Sequence, residues 1–416
     1  MLNKRKIVND PVYGFINIPY PILYDLIEHR YFQRLRRIQQ LGLTNYVYPG
    51  ANHTRFQHGL GALYLMEQAI AVLRLKGEVI TEEESEGVMI AILLHDIGHG
   101  PYSHALEHSI VPDVSHELLS LLFMKELNRQ FDGQLNIAIE IFQNQYHKKF
   151  LNQLVSSQLD MDRLDYLRRD SFFTGVTEGI VGSDRIIKML TVENDELVVE
   201  EKGIYSIEQF LVARRLMYWQ VYLHKTVLSA ENLLVNTLKR VKQLSAMGQQ
   251  VFTTPYLAFF LNPQLDISHY INSPDADECK LLLDNFALLE DNDIMVSAKV
   301  WAEHPDRTLS ILSSNLISRK LYKIEIQHDT FPLELISAHK ERVQKNLQVS
   351  GSDLDYFVFT GVISNNAYKT NDDRIKILLK SGKIVDITEA SDMLDQSVLA
   401  KTVKKHFLCY PKGGGW

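Results

Sequence analysis

Eight consecutive apolar residues, Gly87 to Leu94, end on an adjacent pair of polar groups, His95 and Asp96. A run of this length has no solvent face, so it predicts a helix buried on every side. The pair at its end must then lie against the core. The residues that follow, Ile97-Gly98-His99-Gly100-Pro101-Tyr102-Ser103-His104, contain two glycines and a proline that stop the helix. They carry His99 and His104 on a turn over the pair. Neutral imidazole beside carboxylate suits a borderline or hard divalent metal. A capped helix with a satisfied histidine would look the same locally, so the rest of the chain must decide.

The 416-residue chain can bury a substantial core and is long enough for two or three domains. Its net charge of −7 gives no whole-molecule field that favours nucleic acid. The two cysteines, Cys279 and Cys409, make neither a disulfide framework nor a metal-ligand spacing. The N-terminus is basic but reaches Asp10-Pro11 without an apolar stretch, and no apolar run approaches bilayer length. These features lead us to expect a soluble cytoplasmic protein.

Taken in order, Lys6 to Ile18 reads as a hairpin or extended arm. Pro21 to Leu41 has helical periodicity, with Arg30, Arg34, Arg36 and Arg37 on a basic outer face. His58 to Leu75 reads as a helix opened by the loop before it. Thr81 and Glu84 form a capping box ahead of the apolar run. His116 to Leu127, Leu135 to Gln145 and Lys149 to Asp170 are helical by pattern. Leu197 to Glu200 and Ile204-Tyr205 read as two strands around a turn at Glu201-Lys202-Gly203. A single long helix is expected from Ile207 to about Leu244, with Arg214, Tyr222 and Lys225 on one stripe. Beyond Leu321 the pattern alternates: strands at Lys323–Ile326 and Tyr356–Phe359, a helix from Pro332 to Gln348, and a hairpin around Ser381-Gly382. The expected fold class is mainly α, with a small C-terminal α+β unit. Three regions follow: a core at 1–245, a helical extension at 246–319 and the α+β unit at 320–416.

His58, the pair His95-Asp96, and Asp162 come from three separate expected helices. Two imidazoles and two carboxylates leave open positions on an octahedral ion, as a hydrolytic metal requires. Arg55, His99, His104, Arg163, Tyr166, Arg214 and Lys225 lie in the segments around them. That density of cations and donors in an acidic protein points to a phosphate-rich anion.

The spaced His58 … His95-Asp96 … Asp162 set resembles the signature of the HD-domain phosphohydrolases. Longer strings are similar to their dNTP triphosphohydrolase branch, which includes bacterial dGTPases and the vertebrate enzyme with a sterile-alpha-motif domain. These are Asn9-Asp10-Pro11, Phe32-Gln33-Arg34-Leu35-Arg36, Tyr48-Pro49-Gly50-Ala51, Arg55-Phe56 with His58, Leu94 to His104, Asp162 to Asp170, and Arg214 to Lys225. The resemblance is strong over residues 5 to 245 and weaker beyond. It implies an HD-domain helical core with His58, His95, Asp96 and Asp162 holding a divalent ion (Mn, Fe, Zn, Ni or Mg). It makes His104 the general acid or base at the bond between the α-phosphate and the sugar, with His99 beside it. His116 and Glu117 would orient His104. Arg55, Arg163, Tyr166, Arg214 and His99 would hold the triphosphate; Gln40, Asp170 and Tyr222 would hold the sugar. Glu107 departs from the aspartate that relatives often carry three residues after the catalytic histidine.

Regulation by a GTP or dNTP activator bound between subunits is a second implication. Lys6, Asn9, Gln33, Arg36, Arg185, Lys202, Lys225, Arg319 and Lys323 match its positions; Glu28 stands for an aspartate, and Glu200 stands where activated relatives have arginine. The expected protein is therefore a homotetramer or dimer that converts a dNTP and water into a deoxynucleoside and tripolyphosphate. The alternatives are an HD-type nucleotidase or phosphodiesterase acting on another nucleotide, and a single-stranded nucleic-acid-binding protein. The acidic charge and the lack of an aromatic-rich basic tract argue against the last, and no membrane partner is expected.

Overall fold

A computed structural model describes residues 6–103, 114–262, 264–272, 276–365, 368, 374–393 and 403–413. His104 and Glu107 lie outside the described residues. The fold is mainly α, as expected. An N-terminal antiparallel hairpin, β1 (Lys6–Asp10) and β2 (Gly14–Ile18), leads into α1 (Pro21–Glu28) and α2 (Arg30–Gln33). The central layer comprises α3 (Arg55–Leu75), α4 (Glu82–Leu94), α5 (His116–Gln130), α6 (Asn136–Phe142), α7 (Lys149–Val155) and α8 (Met161–Thr174). The apolar run is α4, and from Gly87 to Leu94 each of its residues is buried. It opens on the expected capping box: Thr81 Oγ1 accepts from Glu84 N–H at 3.2 Å, while the Thr81 N–H donates to Glu84 Oε2 at 2.9 Å.

α3 crosses α8 closely because position 61 is glycine. A Cβ there would overlap the Asp165 and Arg169 side chains of α8. Those two residues form a buried ion pair, and Arg169 also binds Asp10 at the end of β1, at 2.7 Å. The N-terminal hairpin is thereby tied to the centre of the molecule.

After α8 come α9 (Ser183–Met189), the strands β3 (Leu190–Glu193) and β4 (Glu196–Glu200), α10 (Ile204–Met217) and α11 (Lys225–Ala246). Five further helices follow: α12 (Pro255–Leu261), α13 (Ile267–Asn272), α14 (Ala276–Ala287), α15 (Asp291–Trp301) and α16 (Arg307–Ile317). The C-terminal α+β part contains β5 (Lys323–Gln327), α17 (Leu333–Leu347), β6 (Phe359–Asn365), β7 (Lys376–Leu378), β8 (Ile384–Asp386), α18 (Ile387–Ala390) and β9 (Val403–Tyr410). Its strands serve two sheets. β5-β9-β6 form one, while the hairpin β7–β8 extends the β3–β4 hairpin through a parallel β4–β7 pairing. No helix among the described residues is long and apolar enough to cross a membrane.

Several elements differ from their expected form. The helix expected from Pro21 to Leu41 breaks at His29, which leaves the helical region and uses Nδ1 to accept from Tyr31 N–H, and it continues only as α2 and a 3₁₀ turn over Arg34–Arg37. Arg34 is fully buried rather than on a solvated face. The helix expected from Lys149 to Asp170 is two, because Asp160 caps α8 by accepting from Arg163 N–H at 2.7 Å. Ile204-Tyr205 begins α10 instead of a strand. The partner of β4 is β3, joined through Asn194 and Asp195, both at positive φ, a geometry these residue types tolerate in hairpins. Tyr356 to Val358 precede β6, which starts at Phe359. The long helix from Ile207 also divides: α10 passes into a π-helical turn, Tyr218–Tyr222, and extended His224 caps α11. Arg214, Tyr222 and Lys225 therefore share no stripe.

Removing the cation from the buried cluster leaves two carboxylates without compensation. Arg169→Met is expected to lower unfolding stability by about 3–5 kcal/mol, measured by urea titration. A loss below about 1 kcal/mol would show that the cluster does not bear on stability.

Candidate metal centre and anion site

α3, the end of α4 and the first turn of α8 converge. One ligand atom from each of His58, His95 and Asp162 falls within a sphere where all lie within 4.8 Å of one another. His58 Nε2 is 3.2 Å from Asp162 Oδ1, and His95 Nε2 is 3.5 Å from it. Asp96 stands at the same place, with carboxylate oxygens 3.7 Å from His58 Nε2 and 3.4 Å from His95 Nε2. One of those oxygens also accepts from Arg55 Nη1 at 2.6 Å. The four residues named from the sequence are thus together.

The outer nitrogen of each imidazole fixes its tautomer. His58 Nδ1 donates to Asp165 Oδ2 at 2.7 Å, and His95 Nδ1 donates to the Ile92 carbonyl at 2.6 Å. In the neutral rings Nε2 is then a bare lone pair, and both Nε2 atoms are buried with no hydrogen-bond partner among the described residues. Two orphaned lone pairs facing two carboxylates fit a divalent cation and little else. The electrostatics agree. Burial works against charge on His58, but Asp162 and Asp165 outweigh it and raise the imidazole to about 10. Asp162 is likewise driven well below the usual carboxylate range: its burial is outweighed by the two imidazoles. The negative field that retains those protons is the field a dication would occupy.

The turn after α4 is held from below. Gly98 sits where a Cβ would overlap the His116 carbonyl and the Ser120 N–H of α5, and its own N–H donates to Ser120 Oγ at 2.9 Å. Arg34 donates through Nη2 to the carbonyls of Ile97 (2.8 Å) and His99 (2.6 Å), its guanidinium facing the rings of Phe123 and Phe286. Burial, then the nearby Arg55, lower it to about 9. His99 donates through Nε2 to Asp96 (3.2 Å), accepts from Ser103 Oγ at Nδ1 (2.7 Å) and stacks on His116 at 3.9 Å. Burial and Arg55 push His99 down to about 3, so it is neutral at ordinary pH. Glu117 is exposed in the first turn of α5.

Three arginines besides Arg34 carry buried nitrogens with nothing to bind among the described residues. Arg55 Nε, Arg163 Nε, and Arg214 Nε and Nη1 are buried without a partner among the described residues. Arg163 engages Asp160 with its terminal nitrogen. Arg163 and Arg214 both act on the buried Tyr166 hydroxyl, which burial raises far above its usual range against their opposing pull. Beside them opens a cavity of about 460 Å³, lined by Gln40, Arg55, Tyr166, Asp170 and Tyr222 among others. Gln40 Oε1 is buried there without a partner. Tyr222 donates to Asp170 Oδ2 at 2.7 Å, and His53 donates to Asp170 Oδ1 at 2.7 Å while stacking on Phe173. The sequence reading missed His53, although its place in the loop before Arg55 was visible. It also missed Tyr218, Glu231 and Asn232 on the cavity wall, because the expected continuous helix would have turned them elsewhere.

The expected activator positions are spread over separate elements and are mostly exposed. Arg36 Nε donates to Gln33 Oε1 at 2.8 Å, and Arg185 donates to the Lys202 carbonyl at 3.3 Å. Lys6 faces the Tyr24 ring, Arg319 donates to the Tyr46 carbonyl, and Lys323 pairs with Glu325. Asn9, Glu28 and Lys225 are exposed. Glu200 is paired with Lys76 at 2.7 Å.

Comparison with known proteins agrees with this geometry. The HD domain model matches residues 55–170, and the HD associated region matches residues 181–253. The chain belongs to the HD-domain phosphohydrolase family. A solved phosphohydrolase from Bacteroides thetaiotaomicron VPI-5482 is 54% identical, with a TM-score of 0.93 over 98% of this chain and 100% of that one. The uncharacterized protein YwfO of Bacillus subtilis (strain 168) is 32% identical over 99% of this chain and 93% of its own length. The deoxynucleoside triphosphate triphosphohydrolase SAMHD1 homolog of Dictyostelium discoideum is 29% identical over 59% of this chain, and the match spans about half, 51%, of that protein.

Because Asp165 sets the His58 tautomer from behind, Asp165→Asn is expected to weaken divalent-metal binding about 10- to 100-fold. Equilibrium dialysis with manganese on the folded variant measures this; unaltered affinity would remove Asp165 from the design.

Proposed function

We propose that this protein hydrolyses deoxynucleoside triphosphates to a deoxynucleoside and tripolyphosphate. The observation that carries the reading is the set of buried, partnerless arginine nitrogens on Arg55, Arg163 and Arg214, with Arg55 on the wall of a nucleotide-sized cavity and bonded to Asp96 beside the imidazole–carboxylate cage. Unpaired buried donors cost stability, so their grouping makes sense where a polyanion completes them.

In this reading His58, His95, Asp96 and Asp162 hold the divalent ion, which when bound supplies a Lewis acid and activates water at neutral pH. Arg55, Arg163, Tyr166, Arg214 and His99 bind the triphosphate and stabilise the charge that develops on its oxygens. Water adds to the α-phosphorus while the bond from that phosphorus to the sugar oxygen breaks. His104 is assigned to deliver the proton to the departing sugar oxygen, with His116 and Glu117 orienting it. Gln40, Asp170 and Tyr222 hold the sugar. The Tyr222 ring, fixed by its hydrogen bond to Asp170, would face C2′ and leave little space for a hydroxyl.

The reading extends to nucleotide activation of a cytoplasmic homo-oligomer, a dimer or tetramer. It is supported by the joined Gln33–Arg36 pair, and by Lys76, which offsets the acidic Glu200. The division into a 1–245 core, a 246–319 extension and a 320–416 unit belongs to the same proposal.

Incubating the protein with the four dNTPs and manganese is expected to yield tripolyphosphate. Orthophosphate or nucleoside monophosphate as the phosphorus product would move the enzyme to a different HD-type reaction. dGTP is expected to be cleaved at least about tenfold faster than GTP, and Tyr222→Ala to slow dNTP turnover while narrowing that gap. Equal wild-type rates on GTP and dGTP would end the steric account.

A further inference from the structure

The cavity beside the cage continues past Asp170 and Tyr222 along the first turns of α11. Leu41, Leu43, Thr44, Leu228 and Leu234 line it together with two adjacent polar side chains of α11, Glu231 and Asn232. Glu231 lies six residues into α11, about 9 Å along the axis from Lys225. It has no hydrogen-bond or ion-pair partner among the described residues. Burial alone acts on its carboxyl, raising it to about 7. Asn232 commits its amide nitrogen to the Leu228 carbonyl at 2.8 Å, so it presents its oxygen as a further acceptor. Glu231 and Asn232 thus set two neighbouring acceptors on the cavity wall, the Glu231 carboxyl with no donor paired to it among the described residues.

Ionised, as it is above about 7, the Glu231 carboxyl accepts only, through two oxygens side by side. Among the four bases, guanine alone carries two neighbouring donors on one edge, N1–H and the 2-amino group. Adenine and cytosine place an acceptor next to their amino group, and thymine flanks its single N–H with two carbonyls. The same edge points away from the sugar, so a base whose sugar rests at Asp170 and Tyr222 would present it to the remaining wall of the cavity, which Glu231 lines.

We infer that Glu231 is the base-reading residue of this cavity and selects guanine, with Asn232 supporting it. The inference rests on the proposed dNTP reading for the position of the sugar. Two N–H donors would pair the partly buried carboxylate, which has no partner among the described residues, and a base facing it with an acceptor would not.

The test is equilibrium binding of deoxyguanosine, deoxyinosine and deoxyadenosine, none of which is hydrolysed, to the full manganese-loaded chain and its Glu231→Gln variant, by calorimetry. Wild type is expected to bind deoxyguanosine about tenfold more tightly than deoxyinosine, which lacks the 2-amino group, and more tightly still than deoxyadenosine. In Glu231→Gln the deoxyguanosine preference should fall about tenfold without loss of deoxyadenosine binding. Equal affinities in wild type, or a variant that weakens all three alike, would overturn the inference. A thermal melt separates a folding defect from the binding effect, and Glu231→Asp, which keeps the charge, should retain the order of preference. Failure to release tripolyphosphate from any dNTP would refute the proposed reaction but leave this binding order as an independent result. Tripolyphosphate released equally from all four dNTPs, with no effect of Glu231→Gln, would refute only the base-reading role.

Discussion

The guanidinium of Arg169, fully buried between Asp10 and Asp165, is the interaction on which the remainder of the site depends. Three charges removed from water are costly unless each is paired and hydrogen-bonded. Here Arg169 uses Nε, Nη1 and Nη2 on the two carboxylates, and Asp165 spends Oδ2 again on His58. The continuous path runs from the N-terminal hairpin through α8 to His58, a candidate metal ligand, on α3. It also explains Gly61: a side chain there would occupy the space of the pair. The cluster does for geometry what an apolar contact could not, because it fixes the direction of a lone pair and not only the distance between two helices.

A second layer of the design is deliberate incompleteness. Arg34 is buried with two nitrogens unpaired, yet its remaining nitrogen holds both carbonyls of the histidine turn, so its role is internal. Arg55 differs, since it lines the cavity and reaches Asp96, while Arg163 and Arg214 both act on Tyr166 of the cavity wall. A protein that satisfied all its polar groups internally would gain stability and lose the preorganised field that anion binding and phosphoryl transfer require. The π-helical turn at Tyr218–Tyr222 contributes in a similar way: it ends α10, brings Tyr218 and Tyr222 to the cavity, and lets α11 begin on a new line.

Much of this was legible in the residues. The all-apolar Gly87–Leu94 run dictated a buried helix whatever surrounded it, and Thr81 with Glu84 announced its start. Gly98, Gly100 and Pro101 announced its end, and two histidines with two aspartates on separate helices, together with the resemblance to HD-domain phosphohydrolases, named the candidate cage. Less legible were the breaks. His29, Asp160 and His224 each end or begin a helix through the hydrogen bonds or backbone angles they adopt, and the helical pattern runs through all three without interruption.

The sequence by itself determined the family to which the chain belongs and the residues that are candidates to hold a metal, because these rest on local periodicity, capping and short motifs. Only the tertiary structure decided which charges are sealed inside the chain's own contacts and which keep unpaired atoms or stay exposed. Arg34 and Arg36 are two residues apart in one basic stretch, yet one is sealed under the histidine turn and the other is exposed over Phe56. Glu231 reads as one more polar residue on a helix until the break at Leu223-His224 turns it to the cavity wall. Helical spacing gives the angle of a side chain about its own axis. What that side chain faces is set by helices distant in the sequence, packed where burial and ion pairing place them.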